Sequence, residues 1–295
     1  MAQIKYHLLL VLSTLLIAGS FISSQVLAAD VDPVALTLLR FVLAALILAP
    51  FVVFNRERRR TFIRILPKGL TIGFFYAAFF LIMFKALKTT TTLNTATLYT
   101  LVPFLTALLS VVLFRDKMRI ATLLVYLMST VGTLWVISRG DIAVLLNLDL
   151  NHGDALFLVG CLSMVCFSVA MKLLYKGEEM RVFVFTTLVS GALWMGGAAL
   201  ISGEIPDYSA MDPGKFLHML YLVVGATLLT SWIIQLATVK LGPRRVSAYI
   251  YLNPACVALI VMVTTGQMLP ASVWPGIALS VLATLLLQIQ ASRET

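Results

Sequence analysis

Three cysteines and three histidines are all that this 295-residue chain offers for thiol or metal chemistry. Cys161, Cys166 and Cys256 sit inside apolar runs, with neither the even count of a disulfide framework nor the spacing of a zinc site. His7, His152 and His218 lie near run ends or between runs, and no H-E-x-x-H or G-x-S-x-G motif occurs. The sequence thus contains no constellation for an intramembrane enzyme and implies no cofactor or metal. Charge is scarce too. Only 12% of residues are charged and 60% are hydrophobic, with a mean hydropathy of +0.99. Soluble domains sit nearer half apolar and roughly a quarter charged, so a soluble globular protein is excluded.

A third scarcity concerns acids. All 13, from Asp30 to Glu294, lie in links or at the ends of apolar runs. A proton-driven carrier of cations needs a carboxylate inside the bilayer as relay and counter-ion. The sequence therefore argues against a cationic ligand and for a neutral, zwitterionic or anionic one. The formal charge of +9 does not signal nucleic acid, because no aromatic-basic patch appears. The basic residues are spread through short links, which points to membrane topology and lipid headgroups.

What is present is a succession of apolar runs of spanning length, at roughly 7–28, 34–54, 68–87, 93–114, 119–138, 154–174, 182–202, 216–239, 245–265 and 272–290. Backbone amides cannot face lipid unpaired, so these runs predict an all-α membrane protein with ten transmembrane helices. The first run is preceded by Lys5 and ends in Val26-Leu27-Ala28 before Ala29, as in a signal peptide with its small-residue cleavage site. Its length is nearer that of a spanning helix, and it is read here as the first span. Of the 22 Lys and Arg residues, seventeen fall on one set of alternate links and five on the other. Asp30, Asp32, Asp141, Asp149, Asp154, Glu204, Asp207 and Asp212 fall on the Lys/Arg-poor side. The positive-inside rule then places both termini in the cytoplasm.

The chain also repeats itself. A shift of 151 residues puts Pro103 on Pro254, Leu101 on Leu252 and Ala86 on Ala237. Five spans is an odd number, so the second set starts on the opposite side of the membrane from the first. Two inverted five-helix repeats are expected, residues 1–145 and 146–295, with a ligand site near the midplane where they meet. Leu93–Phe114 and Val246–Thr265 each carry a proline near the middle, and Pro103 and Pro254 are read as paired kink or gating positions. Pro67 is expected at the start of the third span, after a link at 55–68 that either anchors topology or touches anionic lipid.

Several local patterns add up to a resemblance. Leu38-Leu39-Arg40-Phe41, Phe84-Lys85-Ala86-Leu87-Lys88, Leu101-Val102-Pro103-Phe104, Leu252-Asn253-Pro254, Phe114-Arg115-Asp116-Lys117 and Val131-Gly132 resemble the drug/metabolite transporter superfamily of the EamA type. The likeness spans about residues 7–137 and 153–288. It departs where such proteins often have Gly-Glu after the fourth and ninth spans, against Arg115-Asp116 and Gly266-Gln267 here. The resemblance implies an inner-membrane exporter or exchanger of small metabolites, amino acids or drugs, embedded in lipid, with a central cavity and a small-molecule substrate.

Candidate substrate-binding residues follow from polarity at mid-span: Ser20, Tyr76, Tyr99, Trp232, Gln235 and Asn253. Arg40 lies about 10 Å into the second span at ~1.5 Å per residue. Either it meets a substrate carboxylate or phosphate, or its stem snorkels to the headgroups. Gly69-x-x-x-Gly73 permits close helix contact, within the chain or in a dimer.

Overall fold

The computed structural model describes residues 4–114, 119–141, 143, 151–203, 207–241, 246, 248–266 and 268–292. The links at 115–118 and 242–245, most of 142–150, Pro206, Gln267 and the side chain of Gln235 lie outside the described residues. So does the expected boundary between repeats at residue 145.

Among the described residues twelve α-helices make the ten spans. The first three are single helices, α1 (Ile4–Asp30), α2 (Pro33–Val53) and α3 (Arg56–Ala86). The fourth span is split into α4 (Thr92–Leu98) and α5 (Leu101–Phe114), and the fifth is α6 (Ile120–Ile137). The sixth and seventh are α7 (His152–Leu174) and α8 (Met180–Ser202). The eighth runs through α9 (Pro213–Leu220), a π-helical stretch Tyr221–Leu229 and α10 (Thr230–Leu241). The ninth begins as a 3₁₀ turn, Ala248–Leu252, and continues as α11 (Asn253–Thr265), and the tenth is α12 (Trp274–Ser292). Among the described residues nine spans are long and apolar enough to cross a membrane, and α6 is a shorter apolar helix.

Helix starts follow capping chemistry. Asp32 accepts from the Val34 and Ala35 amides at 2.7 and 3.0 Å, with Pro33 pre-set at the first helical position. Asn55 accepts from the Glu57 and Arg58 amides, both at 3.0 Å, and this cap starts α3 at Arg56. The Arg-rich stretch is thus helix rather than link, and Pro67 lies inside α3 rather than at its start. Arg and Glu are good helix formers, and polarity alone does not end a helix once it leaves the bilayer. The extension is tied to the turn between α7 and α8 by Arg58–Glu179 and Lys68–Glu178, each at 2.8 Å.

The two central prolines act differently from a mid-helix kink. The fourth span breaks at Tyr99-Thr100, where the Thr100 amide donates to the Thr97 carbonyl and the Val102 amide to the Tyr99 carbonyl. Both bonds reach back three residues, not four. Pro103 then sits in the first turn of α5, and Pro254 in the first turn of α11. Each proline opens a half-helix, where its missing N–H costs no bond.

The main interfaces join one half of the chain to the other. α3 packs on α7 and α8, while the eighth span packs on α1 and α2 in the reciprocal arrangement. α4 meets α11, and α6 runs along α12. The two five-helix repeats therefore interlock rather than standing side by side. Gly69 and Gly73 lie within this interface. A Cβ on Gly73 would come 2.9 Å from the Gly191 nitrogen and 3.0 Å from the Thr187 carbonyl, so the small-residue motif serves packing inside the chain.

Candidate functional site

Arg40 is the deepest cation in the described bundle and is only 2% exposed. Its stem turns inward, so the snorkelling alternative fails: the guanidinium has found partners inside the protein. Nε and Nη2 both donate to Thr227 Oγ1, at 3.1 and 3.0 Å. Thr227 stands midway between Pro213 and Leu241, which places the charge near the middle of the span. The Thr227 hydroxyl in turn donates to the Leu222 carbonyl at 2.8 Å, five residues back along the π-helical stretch. The guanidinium carbon lies 4.0 Å from the Phe80 ring centroid, a cation–π contact. Nη1 has no hydrogen-bond partner among the described residues, and no carboxylate is paired with Arg40 there.

An aromatic path connects this charge to the break in the fourth span. Tyr76 stacks on Phe167 at 4.6 Å and on Phe41 at 5.6 Å, and meets Phe80 edge-on at 4.9 Å. Phe80 meets Phe79 at 5.0 Å, and Phe79 lies 5.7 Å from Tyr99. Arg40, Tyr76 and Tyr99 thus belong to one continuous cluster. Thr100, next to Tyr99, shares a 2.7 Å hydrogen bond with Thr133 on α6.

The other candidates divide. Asn253 is fully buried at the start of α11, and neither its Oδ1 nor its Nδ2 has a partner among the described residues. A buried amide without partners is costly, so this side chain is available to a ligand or to a second conformation. Ser20 donates to the Ile17 carbonyl at 2.6 Å, which satisfies its hydroxyl within its own helix. Trp232 is 51% exposed and lies outside the buried cluster. The side chain of Gln235 lies outside the described residues.

A separate cavity of about 350 Å³ opens between α1, the eighth span and α11. Gly19, Ile22, Ser23, Leu217, His218, Tyr221 and Ile260 line it, and its wall is mostly apolar. Ser23 and His218 share a 3.1 Å hydrogen bond at its side, and the Tyr221 hydroxyl donates to the Leu16 carbonyl at 2.8 Å. It does not reach Arg40, Tyr76, Tyr99 or Asn253.

Sequence reasoning missed Thr227 and Phe80 as partners of Arg40. It also missed the burial of Asp154, which is at a helix end as expected yet 2% exposed. A π-helical hydrogen bond leaves no composition signal, whereas the Asn151 cap of α7, accepting from the Asp154 amide at 2.8 Å, does mark that helix start.

A bundle whose largest interfaces join the two halves of the chain fits the inverted-repeat architecture of membrane transporters. The chain belongs to the EamA-like transporter family, whose model matches residues 4–138 and again 151–289. It is similar to an uncharacterized transporter of Archaeoglobus fulgidus, 25% identical over 265 residues that cover 86% of this chain and 87% of the relative. It is also similar to the uncharacterized transporter YyaM of Bacillus subtilis (strain 168), 23% identical over 226 residues, 75% of this chain and 73% of that one. A solved crystal structure of a protein at 17% identity shares the fold, with a TM-score of 0.66 over 97% of each chain.

Proposed function

We propose that the protein is a secondary carrier that exports or exchanges a small metabolite bearing an anionic group, such as an amino acid or an organic anion, by alternating access. The observation that carries this reading is the Arg40 guanidinium: 2% exposed, mid-span, and with one nitrogen free of any described partner. Burying a cation in the membrane is expensive, and bidentate capture of a carboxylate is the task that suits a guanidinium. Tyr76 and Tyr99 supply an aromatic wall beside it, and Asn253 supplies an unused donor and acceptor on the facing broken span.

The two repeats, residues 1–145 and 146–295, rock about this site, and the half-helix starts at Pro103 and Pro254 give the broken spans room to move. The seventeen-to-five distribution of Lys and Arg supports placing both termini in the cytoplasm, and membership of the transporter family supports an inner-membrane location. No catalytic step is part of this reading.

The test is counterflow in proteoliposomes with amino acids, organic acids, sugars and nucleobases, with and without a pH gradient. An anionic or zwitterionic substrate should exchange, and Arg40→Gln should abolish its flux while sparing any neutral substrate. Equal anion flux through the wild type and Arg40→Gln sinks the anion reading. Flux of a neutral sugar or nucleobase alone would favour a ligand held by the aromatic wall and Asn253.

A further inference from the structure

A second polar cluster lies at the Lys/Arg-poor end, where α7 starts. Asn151 caps this helix, and Gly153 lets it abut the end of α3. A Cβ on Gly153 would stand 2.7 Å from the Ala86 carbonyl and 2.6 Å from Thr89 Oγ1. That approach carries the Asp154 carboxylate inside the protein. The Thr90 hydroxyl donates to Asp154 Oδ1. Asn94 Nδ2 donates to both carboxylate oxygens, at 3.2 and 3.0 Å. Around them, Asn151 Nδ2 donates to Thr90 Oγ1 at 3.4 Å, and Gln25 Nε2 on α1 donates to the Thr90 carbonyl at 3.2 Å.

The described partners of the carboxylate are all neutral. Among the described residues no Lys, Arg or His is paired with it, and Lys85, Lys88 and His152 on the neighbouring elements are exposed. Neutral donors and the start of α7 balance its charge instead. An ion pair pulled apart in a low-dielectric interior leaves two costly charges. Here, separation leaves one carboxylate that entering water can solvate, beside hydroxyl and amide groups that water also satisfies. The contact is strong when dry and cheap to release when wet.

Its position matters as much as its chemistry. Asp154 belongs to the sixth span, and Thr90 and Asn94 belong to the turn before the fourth span and to α4. Two helical turns further along α7, about 10 Å at 1.5 Å per residue, Cys161 is 0% exposed. Its Sγ lies 3.7 Å from the Leu98 carbonyl, at the last residue of α4 before the break. We infer that Asp154 is the closing residue of the gate at the Lys/Arg-poor end, a positioning residue that latches α4 onto α7 and seals Cys161 and the Tyr99 break beneath it. The inference rests on the alternating-access reading for its purpose, but its geometry can be tested without transport.

Cys161 is a built-in reporter. With Cys166→Ala and Cys256→Ala removing the other thiols, a membrane-impermeant methanethiosulfonate cation is applied to right-side-out and to inverted vesicles. The latched protein should label slowly from both faces. Asp154→Ala, and the milder Asn94→Ala, should label at least about tenfold faster from one face only, as expected for loss of charge-assisted hydrogen bonds. The Asp154→Asn/Asn94→Asp exchange should restore slow labelling. Faster labelling from the right-side-out face supports the latch and the orientation; from the inverted face alone, it supports the latch and reverses the orientation. Unchanged labelling in both single variants overturns the latch, as does equal acceleration from both faces, which means general loosening. If counterflow finds no substrate while sided labelling behaves as expected, the carrier reading falls and the latch stands. If transport is found while labelling does not change, the latch alone falls.

Discussion

Thr227 accepts two hydrogen bonds from Arg40 and passes one on to the Leu222 carbonyl. One hydroxyl therefore joins the buried cation of the second span to the π-helical stretch of the eighth. Thr227→Val keeps the shape and removes the acceptor. A loss of about 1–3 kcal/mol is expected from leaving a buried donor unsatisfied. Thr227→Ser should retain most of the stability. Thermal melting of the purified protein in detergent checks this, and equal melting temperatures for all three proteins would show that Thr227 is not the anchor.

The glycines on α3 and α8 should respond in opposite directions. Gly73→Ala drives a methyl into the Gly191 and Thr187 backbone, which cannot rotate away, at a cost of about 1–3 kcal/mol for overpacking. Gly196→Ala on α8 meets nothing within 4 Å and should gain about 0.5–1 kcal/mol from helix propensity. A stabilised Gly73→Ala would mean that α3 and α8 are further apart than described.

The Glu178 carboxyl, in the turn between α7 and α8, is pushed up by partial burial. Hydrogen bonds from Lys68 and from the Lys176 and Glu178 amides outweigh this and lower its pKa from 4.5 to about 2. A depressed folded-state pKa gives stability that is present above the ordinary carboxylate value and is lost as pH falls through the folded one. The melting difference between the wild type and Glu178→Gln should therefore be constant near neutral pH and shrink between pH 4.5 and about 2. Its size should stay below about 1 kcal/mol, since the pair is partly solvated. A difference that grows on acidification contradicts the assignment.

Pro103→Ala restores an N–H opposite the Tyr99 carbonyl and lets α5 extend back through the break. The protein should fold and melt within a few degrees of the wild type, yet turn over substrate more slowly with little change in apparent affinity. Unchanged turnover in counterflow would mean that the break at Tyr99-Thr100 does not depend on the proline.

Much of the fold could be read from the residues because lipid imposes simple rules: length, apolarity and alternating basic links locate the spans, and the spacing of Pro103 and Pro254 exposes the repeat. The errors have physical causes. Hydropathy marks where a helix leaves the bilayer rather than where it ends, so the Asn55-capped extension through Arg56–Arg64 looked like a link. Proline marks a break only to within a few residues, since the 3₁₀ bonds at Thr100 and Val102 precede Pro103. Arg40, Tyr76 and Tyr99 were identifiable as candidates by type and depth. Their common cluster was not, because Phe79 and Phe80 look in the sequence like any other packing residues. Asp154 escaped because a carboxylate at a helix start is ordinarily wet, and only the docking of Gly153 against Ala86 dries it.

The π-helical stretch sets the phase of the eighth span. Each bond that reaches back five residues instead of four accommodates an extra residue in the turn, and one residue corresponds to about 100° of α-helical rotation. The part of the span before Tyr221 and the part after Leu229 are therefore clocked against each other, like two sections of a shaft joined at an offset coupling. Deleting a single residue such as Gly225 would let the stretch wind back to α-helix, leaving Arg40 and Thr227 both present but turning Thr227 away from Arg40. In this chain the pairing of cation and hydroxyl depends on a count of residues as much as on their identity.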